Sequence, residues 1–365
     1  MKIGILTFHR ALNYGAVLQC YALQETLTSM GHDVEVIDYR PAYIEKYRKP
    51  YSKFAISHRE GIKDKVKEII AGTLLIGKKR KGSKAFDSFI NKYLHVSSRL
   101  SLPLSTELDY DVVVVGSDQV WSPQICFGFD PVYWGEVPGL GKRYITYSAS
   151  MGGHNVISDD MWHDVKRMLS NYKHISVREK QLQENLNIHC GVQVPVTLDP
   201  TLLPSMKVYS DAAVKPSIPH YLLFFCLERE EGALQFAQRM AKQLGVPVVR
   251  IAAQKEFQRA DEGVIDRYSV TPQEFLGYFK YADAIVTISF HGTVFSTIFK
   301  RDFYSLKNPK QDRALNLLRP LGLEDRLVGA TEAIVFKPVN YDGVDEKLEQ
   351  LRKSSLDYLK KAIEE

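Results

Sequence analysis

Short apolar runs alternate with longer amphipathic stretches along this chain. Residues 2–8 form an apolar, β-prone run, residues 16–30 have helical character, and residues 34–37 read as a second strand, with Gly31 where a helix C-terminus is expected. The same succession returns in Asp111-Val112-Val113-Val114-Val115-Gly116, in residues 143–147 and in residues 174–178, with a helical stretch near 159–172 between the last two. Strands that are apolar along their whole length and alternate with helices predict a parallel sheet covered on both faces. The rhythm pauses over a proline-rich stretch from Asp199-Pro200 to Ile218-Pro219. It resumes with strands at 221–227, 247–251, 284–289 and 303–306, and with helices at 230–244, 271–281 and 293–299. Val344, Leu348, Leu351, Ser355, Leu359 and Ile363 mark one face of a final amphipathic helix.

The expected fold class is therefore α/β, with two Rossmann-like domains. The first covers residues 1–205 and the second 215–340, followed by a helix over 344–365. A mostly helical insertion at about 46–90 interrupts the first domain, and between Lys46 and Lys84 it carries 13 Lys or Arg residues against Glu60, Asp64 and Glu68. Such a segment is either a solvated helical face or a surface for anionic lipid or phosphate. One short basic patch in a chain of net charge +5 argues against nucleic acid as a partner. No apolar run reaches the roughly 18–20 residues of a membrane span, and residues 1–8 lack the features of a secretion signal. The four cysteines and the ten histidines show no metal-ligand spacing, so no metal is expected and the thiols are expected reduced in a cytoplasmic chain.

Ligands of open α/β sheets bind beyond the carboxyl ends of the strands. Four such places carry candidate chemistry. The first is His9-Arg10-Ala11-Leu12-Asn13-Tyr14-Gly15-Ala16, a polar loop entering a helix whose free N–H groups suit an anion, though without dinucleotide-binding glycine spacing. Here Asn13 and Gly15 are candidate binding residues, or a helix cap and a packing glycine. The second is Gly116-Ser117-Asp118-Gln119-Val120-Trp121, where a permissive glycine precedes a hydroxyl and a carboxylate, or else a plain turn. The third is Ser176-Val177-Arg178-Glu179, whose guanidinium fits a carboxylate or phosphate, or pairs structurally with Glu179 or Asp199. The fourth is Ser289-Phe290-His291-Gly292-Thr293, a histidine at a strand end beside a helix start, suited to proton transfer near an anion, or else a buried histidine bonded to a backbone carbonyl.

In this order, Asn13-Tyr14-Gly15, Gly116-Ser117-Asp118-Gln119-Val120-Trp121, Ser176-Val177-Arg178-Glu179, Asp199-Pro200-Thr201-Leu202-Leu203 and Ser289-Phe290-His291-Gly292 resemble the polysaccharide pyruvyl transferase family over residues 3 to 310. The resemblance implies a GT-B-like arrangement of two Rossmann-like domains facing a cleft. It implies transfer of the pyruvyl group of phosphoenolpyruvate to two hydroxyls of a sugar in a cell-surface polysaccharide or its precursor, forming a ketal and releasing phosphate. Phosphoenolpyruvate would be donor substrate and no cofactor would be needed. On this reading His291 is the acid/base with Asp118 in reserve, and Arg178, Gly292, Thr293, Ser289, Asn13, Gly15, Gly116 and Ser117 bind substrates. Lys300 and Arg301 would lie further along the His291 helix.

Two positions depart from the family pattern: Ser289 stands where an arginine is common, and Ala16 where an aspartate is common. Arg143 or Arg10 is the expected compensating cation. A sugar or glycan acceptor, lipid-linked in one version, would bring the basic insertion to the inner face of the membrane as a peripheral contact. Two other readings share the fold: a nucleotide-sugar glycosyltransferase, for which Glu256 or Asp261 would hold the ribose, and a non-catalytic glycan- or phosphate-binding homologue.

Overall fold

The computed structural model describes residues 1–49, 51–59, 61–152, 157–226, 231–251, 261, 263–307 and 313–365. Two compact units emerge, one of Met1–Ser83, Asp87–Pro204 and Gln350–Glu365, the other of Lys84–Phe86 and Ser205–Glu349. Each is built on a six-stranded parallel sheet.

In the first unit β1 (Lys2–Leu6), β2 (Asp33–Asp38), β3 (Val96–Arg99), β4 (Val112–Val115), β5 (Tyr144–Thr146) and β6 (Tyr172–His174) lie in the order β3-β2-β1-β4-β5-β6. Ile3 stands opposite Val34 on one side and Val112 on the other. The chain therefore reverses its direction of strand addition between β1 and β4, which is where such sheets open a crevice. In the second unit β7 (Leu222–Phe225), β8 (Val248–Ile251), β9 (Val264–Arg267), β10 (Ala284–Thr287), β11 (Asp302–Leu306) and β12 (Leu327–Val328) repeat that topology in the order β12-β11-β10-β7-β8-β9. The four valines of β4 and the Leu-Leu-Phe-Phe of β7 are buried throughout, as strands covered on both faces require.

The structure shifts several expected boundaries. The first helix spans Tyr14–Ser29, two residues earlier than its apolar pattern, because the Asn13 side chain accepts from the Ala16 N–H at 3.3 Å and caps it. Strand β6 ends at His174 instead of running to Arg178. Beyond it, Ser176 and Thr146 exchange side-chain and backbone hydrogen bonds of 2.9 Å in place of a ladder, and Val177 keeps only single bridges to Ala149 and Val196. The helix Ala42–Glu45 precedes the basic insertion, which holds the helices Lys53–Ser57, Ile62–Leu74 and most of Ile76–Tyr93 and then leads into β3.

The final helix, Val344–Glu364, returns to the first unit from Gln350 onward. Leu359, Ala362 and Ile363 are fully buried there. Its polar groups fasten the chain around the end of β5: the Ser355 hydroxyl accepts from the Leu198 N–H at 3.0 Å, Arg352 Nε donates to the Leu202 carbonyl at 2.9 Å, and the Tyr358 hydroxyl donates to the Thr146 carbonyl at 2.9 Å. Truncating Leu359 to Ala should cost about 2–5 kcal/mol of stability, whereas Lys360→Ala on the exposed face should stay within about 0.5 kcal/mol; urea unfolding of both variants measures the difference.

Candidate active site

The carboxyl edge of the first sheet collects Asn13, Gly15, Gly116, Ser117, Asp118 and Arg178. Gly116 has φ of 108°, and a Cβ there would stand 2.6 Å from the Tyr147 carbonyl oxygen, so only glycine fits between the ends of β4 and β5. Two non-glycine residues beside it, Asp118 (φ 63°) and Ser148 (φ 52°), also lie in the left-handed region. Such conformations cost energy and persist where the surroundings fix them, often at functional edges.

Ser117 is fully buried, and its carbonyl accepts from Thr7 Oγ1 at 3.1 Å. Gln19, one turn into the first helix, donates through Nε2 to Thr7 Oγ1 at 2.8 Å and to the Ala16 carbonyl at 2.9 Å. The Ser117 hydroxyl and Gln19 Oε1 are both buried and meet no hydrogen-bond partner among the described residues. A pair of unsatisfied polar atoms at the switch point is an invitation to a ligand hydroxyl or a bound water. Asn13 is exposed at the helix start, while Gly15 is buried within its first turn.

Arg178 is buried and internally engaged. Its Nε donates to Glu179 Oε1, Nη1 to Asp199 Oδ2 and Nη2 to the Ser150 hydroxyl, each at 3.0 Å. Ser150 donates to the same Glu179 oxygen at 2.6 Å, and Asp199 Oδ1 accepts from the Thr201 N–H and hydroxyl. Burial pulls the guanidinium pKa down, but the carboxylates of Glu179, Asp199 and Asp118 outweigh it and hold the group more firmly protonated than usual. The structural pairing with both Glu179 and Asp199 is thus realised. Glu179 Oε2, by contrast, is buried and receives no hydrogen bond among the described residues. This edge therefore offers one carboxylate whose first oxygen is pinned and whose second is available to accept a proton or a hydroxyl hydrogen bond.

At the β1 and β2 end of the edge the charge is of the other sign. Asp38 is buried and accepts from His9 Nε2 at 3.0 Å, from Arg10 Nε and Nη2 at 3.0 and 3.1 Å, and from Arg40 Nη2 at 2.5 Å. Asp87 takes Arg10 Nη1 at 3.5 Å and also pairs with Arg48, which reaches the Arg10 carbonyl at 3.0 Å. Three guanidiniums thus face two carboxylates. Arg40 keeps 29% of its side chain exposed. Of the two proposed compensating cations, Arg10 belongs to this group. Arg143 does not: it precedes β5, at the amino end of the sheet, and donates to the Ile363 carbonyl.

The remaining candidates lie in the second unit. The helix Phe290–Ile298 starts before the expected residue 293, so His291 stands in its first turn, half-buried, with Ser289 as the N-cap. The Ser289 N–H donates to Thr287 Oγ1 at 3.0 Å. Gly292 packs on that same threonine: a Cβ would meet Thr287 Oγ1 at 2.1 Å, so the glycine lets the helix sit on the end of β10. Thr293 is buried, with its hydroxyl on the Ser289 carbonyl at 3.2 Å and the Ser305 hydroxyl at 2.9 Å. Gly292 and Thr293 shape the turn that presents His291, and their own groups face the sheet. Lys300 and Arg301 follow the far end of this helix, where Lys300 pairs with Asp345 at 2.6 Å and Arg301 Nε donates to the Phe299 carbonyl. Of the two acids considered for a ribose, Glu256 lies outside the described residues and Asp261 accepts from Arg250 Nη1 at 2.8 Å.

Sequence reasoning passed over Ser150, Asp38 and the open oxygen of Glu179, and took His9 only as part of the loop after the first strand. Their signal was present, since Tyr147-Ser148-Ala149-Ser150 and Asp38-Tyr39-Arg40 are also the first polar residues after a strand.

Removing Arg178 would strand two buried carboxylates, so Arg178→Ala should lose about 3–5 kcal/mol of stability in a denaturant titration. The Asp38 group sets a pH dependence. Burial pushes His9 below its ordinary 6.5 despite its bond to Asp38. The unfolded chain then binds a proton that the folded chain does not, so the stabilisation is complete above pH 6.5 and falls as the pH drops from there. Burial raises the Asp38 pKa, but hydrogen bonds from His9, Arg40 and Arg10 outweigh it and leave the carboxyl well below its ordinary 3.8. Its contribution is present above pH 3.8 and fades further down. Unfolding midpoints should decline as pH falls below 6.5 in the native protein; His9→Gln should flatten that limb, and Asp38→Asn the one below 3.8.

The family model for polysaccharide pyruvyl transferase matches residues 13–309. No curated protein sequence matches the chain significantly. Among solved structures, a UDP-GlcNAc 2-epimerase from Methanocaldococcus jannaschii is 12% identical, with 96% of this chain and 93% of that one covered and a TM-score of 0.46. The glycosyltransferase SnogD from Streptomyces nogalater is also 12% identical, covering 98% and 95%, with a TM-score of 0.45. With the family match spanning most of its length, this chain belongs to the polysaccharide pyruvyl transferase family.

Proposed function

We propose that this protein transfers the pyruvyl group of phosphoenolpyruvate onto two hydroxyls of a sugar in a cell-surface polysaccharide or its precursor, forming a ketal. The observation that carries the reading, beyond family membership, is the Arg178, Ser150 and Glu179 network with one carboxylate oxygen left open.

The reaction balances without a cofactor. A proton added to the methylene carbon of the donor leaves an oxocarbenium-like cation at the carbon bearing the phosphate. One sugar hydroxyl adds to that carbon, the bond to phosphate breaks, and the second hydroxyl adds in its place. Of the two hydroxyl protons, one replaces the proton given to the methylene, and the other leaves with phosphate. His291 is the proton donor in this scheme. Glu179 Oε2 is the base that takes a hydroxyl proton, with Asp118 beside the same arginine as the second candidate. Arg178 acts by positioning: its three hydrogen bonds hold Glu179 and Ser150 in place. The donor's carboxylate and phosphate need guanidinium and backbone N–H partners, and the Arg10, Arg40 and Arg48 group carries one more cation than its two carboxylates balance.

Calorimetric titration with phosphoenolpyruvate and a phosphate-release assay with sugar acceptors test the proposal. The native protein should bind phosphoenolpyruvate. His291→Ala and Glu179→Gln should retain donor binding within a few-fold while phosphate release falls by about 100-fold or more. A protein that ignores phosphoenolpyruvate and binds a uridine diphosphate sugar would be a glycosyltransferase instead.

A further inference from the structure

The helix Ile62–Leu74 leaves its apolar side largely uncovered by the described residues. Ile62 is 81% exposed, Val66 47%, Ile69 43%, Ile70 52% and Leu74 66%. At the 100° per residue of an α-helix these five side chains share one arc of about 140°. An isolated exposed leucine means little, but a contiguous apolar stripe about 20 Å long on a monomer surface marks an interaction site.

The charges are sorted around that stripe. Lys65 flanks one border and Lys67 the other, Lys63 falls within the arc at its amino-terminal end, and Asp64 and Glu68 lie on the opposite side of the helix. Glu68 is turned away into an ion pair with Arg59 at 2.8 Å. Thr73 is the one hydroxyl within the arc, and it is met at 3.0 Å by the hydroxyl of Tyr51, itself 46% exposed. The next helix, Ile76–Tyr93, opens with Lys78, Lys79, Arg80 and Lys81. Residues 46–84 hold 13 basic and three acidic side chains, against 48 and 43 for the whole chain, so everything outside this segment is net negative by five.

We infer that the Ile62–Leu74 helix is a membrane-surface anchor that lays its apolar stripe into the headgroup region of an anionic bilayer. A helix with an apolar face edged by lysines is the form that binds in the plane of such an interface, apolar burial and charge acting together. Among the described residues no helix is long and apolar enough to cross a membrane, so the contact is peripheral. The uneven charge also sets the orientation, because an anionic surface attracts this segment and repels the rest of the chain. A second copy of the chain is a poorer occupant: in a two-fold symmetric contact the same patch meets itself, and the lysine borders would face each other. The inference goes beyond the proposed reaction and does not depend on it.

The test is co-sedimentation of the full chain with phosphatidylcholine vesicles, alone or containing about one third phosphatidylglycerol. Binding should require the anionic lipid and weaken as salt is raised. The exposed-site variants I62D/I70D and K63Q/K65Q/K67Q should each lower the fraction-bound partition coefficient by about tenfold or more, with unchanged circular dichroism and unchanged phosphoenolpyruvate titration. Absence of binding to either vesicle would overturn the inference, as would binding that I62D/I70D retains. A dimer seen by analytical ultracentrifugation that I62D/I70D dissolves, without vesicle binding, would assign the stripe to self-association.

Discussion

The central strands of both sheets are covered on both faces, and a strand so placed has no room for an unpaired polar side chain along its length. Everything chemically active is thereby displaced to the strand ends. Val112–Val115 carries no functional group, and Gly116, Ser117 and Asp118 follow at once. Ala284–Thr287 ends in a single hydroxyl, that of Thr287, which is paired with the Phe225 carbonyl and the Ser289 N–H, and Ser289 and His291 follow. The same constraint accounts for the glycines that carry no chemistry themselves: a crowded strand end leaves no space for a Cβ at Gly116 or Gly292, and their neighbours are presented by that close packing.

Buried charge at the first sheet's edge is organised as two unequal groups. One guanidinium faces two carboxylates around Arg178, and three guanidiniums face two carboxylates around Asp38. Neither group is stabilising merely by being paired, since desolvation offsets most of the attraction. What the pairing supplies is fixed geometry: each side chain but Arg40, which is bonded to Asp38, is held by two or more partners, so the donors and acceptors at the edge are in place before any ligand arrives.

How much was legible follows from the same physics. Long apolar runs such as Val112–Val115 and Leu222–Phe225 announce central strands, because burial on both faces leaves only one kind of residue acceptable. Edge strands are freed from that demand, and Val96–Arg99, Val264–Arg267 and Leu327–Val328 are short or polar and give no pattern. The residue types of the candidate site were readable from their position after strands, and so was the pairing of Arg178 with Glu179 and Asp199, whereas most other partners were not. Arg143 and Arg10 look alike in sequence, yet one stands before its strand and the other after, so they occupy opposite ends of one sheet. The bridging of Arg178 and Glu179 by Ser150 depends on where the ends of β5 and β6 come together, which no local pattern encodes.

The return of residues 350–365 to the first unit bears on how the chain is made. During synthesis the ribosome delivers the whole of the second unit before the helix that covers β5 has emerged. Until then the surface that receives Leu359, Ala362 and Ile363 is open, and the loop carrying Leu198 and Leu202 lacks its Ser355 and Arg352 fasteners. The nascent first unit therefore waits with an apolar seam exposed, and is completed last although it is begun first.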